Sequence, residues 1–251
     1  MQTAERSSAK DTSEQVIFNR CLFAYKAAGQ FVKGNILELG SGEGYGINHL
    51  APLADTYTAV DKFDSQFEAL PNVKFLKMEL PFLKGITDNS FDYVITFQVI
   101  EHIKDDNTFV KEIFRVLKPG GSLLVSTPNK SMSLTRNPWH VREYKDFELE
   151  KLLKTSFTNV SMKGVYGTPA YLDYYKKNKE SVKKFTRLDI LNLQYILPRQ
   201  ILQIPYNILN RINRRKLQKG NMQLVDTITV DDFFLQDKTQ DCFDLFYIAT
   251  K

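Results

Sequence analysis

The chain has 251 residues, 43% of them hydrophobic and 25% charged, which fits one soluble globular domain with a sizeable core and would be cramped for two. No apolar run approaches the ~20 residues of a membrane-spanning helix, and the start, MQTAERSSAK, lacks the apolar core of a secretion signal, so the sequence predicts a cytoplasmic protein. The net charge of +5 is uneven: Ala170 to Lys219 holds 12 Lys and Arg against 3 Asp and Glu, a net of +9, and the rest of the chain carries −4.

Residues 1–11 are polar and read as a frayed start. Thr12 with Gln15 forms a candidate capping box. Val16, Ile17, Cys21, Leu22, Tyr25, Ala28, Phe31 and Val32 then recur at helical spacing, predicting a first helix packed beside the strand that follows. That strand opens NILELGSGEGYGINHL, Asn35 to Leu50. Ile36, Leu37 and Leu39 form an apolar run with Glu38 embedded in it, and Gly40, Gly42, Gly44 and Gly46 follow at every second position. The pattern is a buried strand, a glycine turn and a helix start, where a ligand can lie against bare backbone and free amides. A dinucleotide fingerprint would need glycine at position 45, where Tyr45 stands, and its pyrophosphate would meet the Glu38 carboxylate in a poorly solvated place. A cationic ligand suits Glu38 better.

Thr56 to Val60 reads as the second strand, ending at Asp61, which lies 19 residues after Gly42. That is near the spacing of ~20 at which a carboxylate accepts from two ribose hydroxyls, although a helix cap would use the same residue. Lys62 and Phe63 follow, placed to flank a nucleoside. Val73 to Lys77 is a third strand, followed by Met78 and Glu79, and Ser90 to Phe97 a fourth, apolar enough to be covered on both faces. Directly after it comes Gln98-Val99-Ile100-Glu101-His102-Ile103, at the sheet edge where such folds build their sites.

Asp105 to Lys118 is an amphipathic helix, Lys118-Pro119-Gly120-Gly121 a turn, and Ser122 to Ser126 the fifth strand, closed by Thr127-Pro128-Asn129. A loop with the only tryptophan, Asn137 to Tyr144, precedes a helix from Asp146 to Thr155; it either covers a ligand or plugs the sheet edge with Trp139. Phe157 to Val165 reads as a sixth strand and Asp244 to Thr250 as the last. Between them, Tyr166 to Lys184 and the aliphatic Leu188 to Ile212 predict two or three helices kinked at Pro198 and Pro205. The run Arg211, Arg214, Arg215, Lys216 and Lys219 closes this segment, which reads as a lid, with a membrane-surface or nucleic-acid contact as the alternatives. Cys21 and Cys242 read as ordinary buried thiols. His49, His102 and His140 are too scattered for a zinc site.

Glu38 with Gly40-x-Gly42-x-Gly44, then Asp61, then the Glu101-His102 pair, then RVLKPGG (115–121), a strand and STPN (126–129), resemble in this order the class I S-adenosylmethionine (SAM) methyltransferases. Within them, the likeness is to the group that includes ubiquinone-type, sugar and lipid methylases, and it covers roughly Asn35 to Val165 plus the last strand. The resemblance implies an α/β fold: a Rossmann-like, doubly wound, seven-stranded, mostly parallel sheet with the last strand antiparallel. A helical lid insertion over 170–226 belongs to a single 1–251 domain.

It implies S-adenosyl-L-methionine as cofactor, bound by Glu38, Gly40, Ser41, Gly42, Gly44, Asp61, Lys62, Met78, Glu79 and Gln98. It further implies in-line methyl transfer to a small-molecule, glycan or lipid acceptor. His102 and His140 are the candidate bases, because imidazole titrates near neutrality, and Glu101 could orient one of them. No acid cluster follows the fourth strand, so metal independence is expected. Nucleic acid is disfavoured because Gln98 to Ile103 stands where the amino-methylating nucleic-acid enzymes carry (D/N)PP(Y/F). A SAM-binding module without catalysis and a membrane-peripheral enzyme acting on a lipid remain as alternatives; the acceptor and the oligomeric state are open.

Overall fold

The computed structural model describes residues 11–251, apart from residues 66, 68, 69, 188, 190 and 191. The expectation of a frayed start therefore lies outside the described residues up to position 10, as do three apolar positions of the lid segment. Asp11 caps the first turn by accepting from the Ser13 amide, and a short 3-10 turn over Thr12–Glu14 leads into helix α1 (Gln15–Ala28). Asp11 therefore does the work expected of a Thr12 capping box.

Among the described residues, eight strands form one sheet: β1 (Asn35–Leu39), β2 (Thr56–Asp61), β3 (Val73–Lys77), β4 (Phe91–Phe97), β5 (Leu117–Pro128), β6 (Asn159–Gly167), β7 (Phe233–Gln236) and β8 (Asp244–Thr250). Their spatial order is β3-β2-β1-β4-β5-β8-β6-β7. The first five are parallel, and the terminal β8 runs antiparallel between β5 and β6, as expected. The count of seven is corrected to eight, because β7 pairs antiparallel with the outer edge of β6. Four residues emerging from the lid segment carry too little pattern to be read as a strand.

The chain reverses direction across the sheet between β1 and β4, and the crevice at such a switch point is where open α/β sheets take ligands. Helix α2 (Tyr45–Leu50) follows β1, and α3 (Asp106–Val116) and α4 (Asp146–Leu153) pack on one face of the sheet. Alternation along β1 divides its side chains: Leu37 and Leu39 enter the core under α3 and α4, while Ile36 and Glu38 point to the opposite face, where α1 packs. Between β4 and β5 the register jumps, with Leu117 opposite Phe91 and Ser122 opposite Tyr93. The intervening Lys118-Pro119-Gly120-Gly121 bulges out through a left-handed Gly120, so the expected turn is an irregularity inside a longer strand.

The lid comprises α5 (Pro169–Thr186), α6 (Leu193–Ile196), α7 (Arg199–Gly220) and α8 (Met222–Thr227). Pro198 stands just before α7, where its missing amide costs nothing, but Pro205 lies inside that helix and does not end it. Of the two prolines at which kinks were expected, Pro198 separates α6 from α7 and Pro205 lies within α7. Polar ties hold the lid down: Ser181 and Asn178 engage the buried Asn213, Arg214 pairs with Glu14, and Tyr175 donates to the Met132 carbonyl.

Candidate active site

A cavity of about 490 Å³ opens at the switch point, between the ends of β1, β2 and β4, helix α1 and the lid. The glycine turn forms its floor. Gly40 adopts a left-handed conformation, and a Cβ there would meet Val99 at 2.4 Å, so the side-chain-free residue is required by both backbone and packing. Gly42 is also left-handed, at φ +57, but a Cβ on it would meet nothing within 4 Å. Its bare face therefore looks onto open cavity, as a cradle for a ligand laid against backbone.

Asp61 closes this floor. Its Oδ2 accepts from the Gly42 amide at 2.9 Å and its Oδ1 from the Phe63 amide at 2.9 Å. Asp61 also lines the cavity, and a carboxylate is the acceptor that a ribose diol calls for. Lys62, Met78, Glu79, Ser41 and Gln98 also line the cavity. Gln98 leaves β4 with a left-handed φ of +58, an uncommon state for a non-glycine residue that turns the chain into the site; its amide donates to the Ser126 carbonyl.

Two of the expected cofactor residues are not on the cavity wall. Gly44 starts α2, and Glu38 lies behind the wall, buried, with Tyr25 donating to its Oε1 at 2.7 Å and Tyr57 to its Oε2 at 2.9 Å. Burial pushes the Glu38 carboxyl up to about 7, against the two tyrosine hydrogen bonds that favour its ionised form. The reason for the placement is Gly46, whose missing side chain admits the Tyr25 ring: a Cβ there would lie 2.0 Å from Tyr25 Cε1. Tyr25 thus forms the wall between Glu38 and the cavity.

Glu101, His102 and His140 meet on the wall of the same cavity. The imidazoles of His102 and His140 are in edge contact, 5.0 Å between centroids, although 38 residues separate them in sequence. One potential ligand atom from each of Glu101, His102 and His140 lies within 4.8 Å of the others. The histidines are therefore not scattered; the Asn137 to Tyr144 loop folds back over the end of β4, held by the Val141 amide donating to the Glu101 carbonyl at 2.7 Å. His49 is exposed on α2, away from the cavity.

Hydrogen bonding fixes both tautomers. His102 Nδ1 is 3.0 Å from the Trp139 carbonyl, an obligate acceptor, so Nδ1 carries the proton and Nε2 the lone pair. His140 Nδ1 is 2.7 Å from Glu143 Oε1, and its Nε2 is 2.8 Å from the Asn137 amide nitrogen. The orientation of Asn137 is set by its Oδ1, which accepts from the Trp139 amide, so Asn137 donates to His140 Nε2. Glu101 instead accepts from Thr127 at 2.8 Å, which makes Glu143, not Glu101, the carboxylate that orients an imidazole. The Trp139 indole donates to Asn207 of α7, tying the loop to the lid.

The lid supplies the remaining wall through Tyr171, Tyr174, Tyr206, Asn178, Asn210 and Arg214. Arg20 from α1 reaches the same wall and pairs with the buried Asp244 of β8, while its Nη1 donates to the Tyr171 hydroxyl. Sequence did not single these out as site residues because Arg20 lies more than 100 residues from the lid helices that it meets, whereas Glu143, three residues after His140, carried a local signal.

A sheet of this order with a glycine turn, a β2-end carboxylate and a polar fourth-strand end at one cavity defines a SAM-type Rossmann-like fold. Comparison with known proteins agrees. Residues 37–125 match the family model "Methyltransferase domain". A "Probable S-adenosylmethionine-dependent methyltransferase" of Mycobacterium tuberculosis is 35% identical over 191 residues, 72% of this chain and 69% of that protein. Another of Mycolicibacterium smegmatis is 37% identical over 155 residues, 57% of this chain and 56% of that protein, so the match spans little more than half of the latter's length. The solved structure of a SAM-dependent methyltransferase from Thermotoga maritima has the same fold, with a TM-score of 0.55 at 15% identity over 94% of this chain and 91% of that one. The chain belongs to the SAM-dependent methyltransferases.

Proposed function

We propose that this chain transfers a methyl group from SAM to a hydroxyl of an uncharged, hydroxylated acceptor, such as a sugar or a phenol, held beneath the lid. The observation that carries this reading is a single cavity lined by both the Gly42–Asp61 cradle and the His102–His140 pair. Gly40, Ser41, Gly42, Asp61, Met78 and Gln98 would hold the cofactor. When bound, it supplies a methyl group on a sulfonium, whose departure as a neutral thioether provides much of the driving force.

The protein's part is alignment and proton removal. Fixing two reactants in line is worth up to about 7–11 kcal/mol. His140 is the base: its Nε2 lone pair takes the acceptor proton in exchange for the Asn137 hydrogen bond, and Glu143 steadies the imidazolium that forms. No metal is required for these steps. Both nitrogens of His140 already have partners, Glu143 at Nδ1 and Asn137 at Nε2, so a cation at the Glu101–His102–His140 group would have to displace one of them from His140. The lid wall favours a neutral acceptor, because Arg20 and Arg214 are already paired with Asp244 and Glu14, leaving tyrosine hydroxyls and asparagine amides to recognise hydroxyl groups.

Calorimetric titration with SAM, with NAD as control, tests the cofactor assignment. Micromolar SAM binding is expected, with at least a tenfold loss in Asp61→Ala and Gly42→Val. Absence of SAM binding, or SAM binding unaltered in both variants, would remove the basis of the assignment. Labelled methyl incorporation into sugar and phenolic acceptors then tests the acceptor assignment.

A further inference from the structure

Helix α7 has two faces with different surroundings. Toward the body, Asn213 and Leu217 are buried, and Tyr206, Asn210 and Arg214 border the cavity. Toward the outside, Ile201, Ile204, Ile208 and Ile212 recur at i, i+3, i+7 and i+11, a single stripe on a helix of 3.6 residues per turn. They are 58, 70, 54 and 49% exposed. The same stripe runs on into Arg215, Lys216 and Lys219, all exposed, so one helix face is aliphatic over its first turns and cationic over its last. Just before it, α6 exposes Tyr195 and Ile196. Single exposed aliphatic residues are ordinary, but a row of them on one helix marks a contact surface.

Charge selects the occupant. Between Asp189 and Asp226 the sequence holds six cations and no acid. A second copy of the chain pairing through the same face would set cation against cation with no carboxylate in either α6 or α7 to answer them. An anionic bilayer answers both halves of the stripe: isoleucines enter the acyl boundary while Arg215, Lys216 and Lys219 meet headgroup phosphates. No described helix is long and apolar enough to cross a membrane, which is compatible with a helix lying in the interface plane.

We propose that the outer face of α6–α7 docks the chain on an anionic lipid surface. Since the inner face of α7 borders the cavity, docking lays the roof of the site against the bilayer. That consequence for acceptor delivery rests on the proposed reaction, whereas the docking itself does not.

Flotation of the whole chain with vesicles tests it, using phosphatidylcholine alone and phosphatidylcholine with roughly 30 mol% phosphatidylglycerol. The chain is expected to float with the anionic vesicles and to stay at the bottom with neutral ones. Ile204→Asp with Ile208→Asp should abolish flotation, and Lys216→Glu with Lys219→Glu should weaken it at least tenfold. All four residues are exposed, and SAM titration on the same variants verifies that they are folded. No flotation of the unmodified chain, or flotation unchanged in the Ile204→Asp, Ile208→Asp variant, overturns the proposal. So does light scattering that shows a dimer made monomeric by that variant, without vesicle binding, since the stripe would then be an interface between copies. Because flotation involves no methyl transfer, a negative result here leaves the proposed reaction standing.

Discussion

Replacing Gly46 by alanine should be costly, and the cost should vanish when Tyr25 is removed first. The new Cβ would lie 2.0, 2.4 and 2.7 Å from the Cε1, Cδ1 and Cζ atoms of Tyr25, so the ring must move bodily. Moving it strains a packed wall, a penalty of about 1–3 kcal/mol. It also breaks the Tyr25 hydrogen bond to the buried Glu38, a further loss of about 1.5–3 kcal/mol. Against this, alanine is favoured over glycine inside a helix by about 1 kcal/mol. The net destabilisation is about 1.5–5 kcal/mol, which for a chain of this size lowers Tm by roughly 3–20 °C. Thermal unfolding followed by circular dichroism, with urea titration as a second measure, reads this directly. In a Tyr25→Ala background the clash is gone, and Gly46→Ala should stabilise by about 1 kcal/mol. A Gly46→Ala chain with unchanged Tm, or one that loses as much in the Tyr25→Ala background as in the parent, would refute the reasoning.

Glu38 sets a pH dependence of the opposite sign to that of most carboxylates. Its pKa in the folded chain is about 7 against an ordinary 4.5, so the folded state keeps a proton that the unfolded state loses. The stabilisation is fully present below about 4.5 and falls away as pH rises to about 7, by up to roughly 3 kcal/mol. Glu38→Gln should flatten the urea midpoint across that window, and an equally steep fall in the variant would assign the titration elsewhere. On the cavity wall, His140→Ala should lower kcat by ~100-fold or more with SAM affinity intact, and Glu143→Gln should lower kcat and shift its pH profile. A chelator should leave the parent rate unchanged; loss of activity with restoration by a divalent cation would instead give the Glu101–His102–His140 group a metal.

The strands were legible because each carries its own pattern. Val73 to Lys77 and Asp244 to Thr250 have the bounds read from sequence, and the glycine turn with Asp61 at its ribose spacing defined the floor of the cavity. What escaped depended on contacts between distant segments. Glu38 looked like a cavity residue because a strand end beside a glycine turn usually faces the ligand; that Tyr25 stands between depends on a helix packing into the gap at Gly46. The histidines looked too scattered for a metal site because only the return of a loop brings His102 and His140 together.

The walls of the cavity are joined by charge as well as by packing. Arg20 on α1, Asp244 on β8 and the Tyr171 hydroxyl on α5 form one buried group, in which burial pushes the Asp244 carboxyl up while Arg20 beside it pulls the other way. Such a pair adds little net stability, since desolvating two charges costs about as much as their attraction returns. Its effect is positional: it admits one arrangement of the three elements and penalises others by leaving a charge unanswered. Arg214 with Glu14 repeats the device between α7 and the residues leading into α1. The Gly42–Asp61 floor is built from two neighbouring strand ends, whereas the proposed acceptor side of the cavity exists only when α1, α5 and α7 are held together over it. Lid substitutions should therefore change which acceptor is taken well before they disturb the cradle.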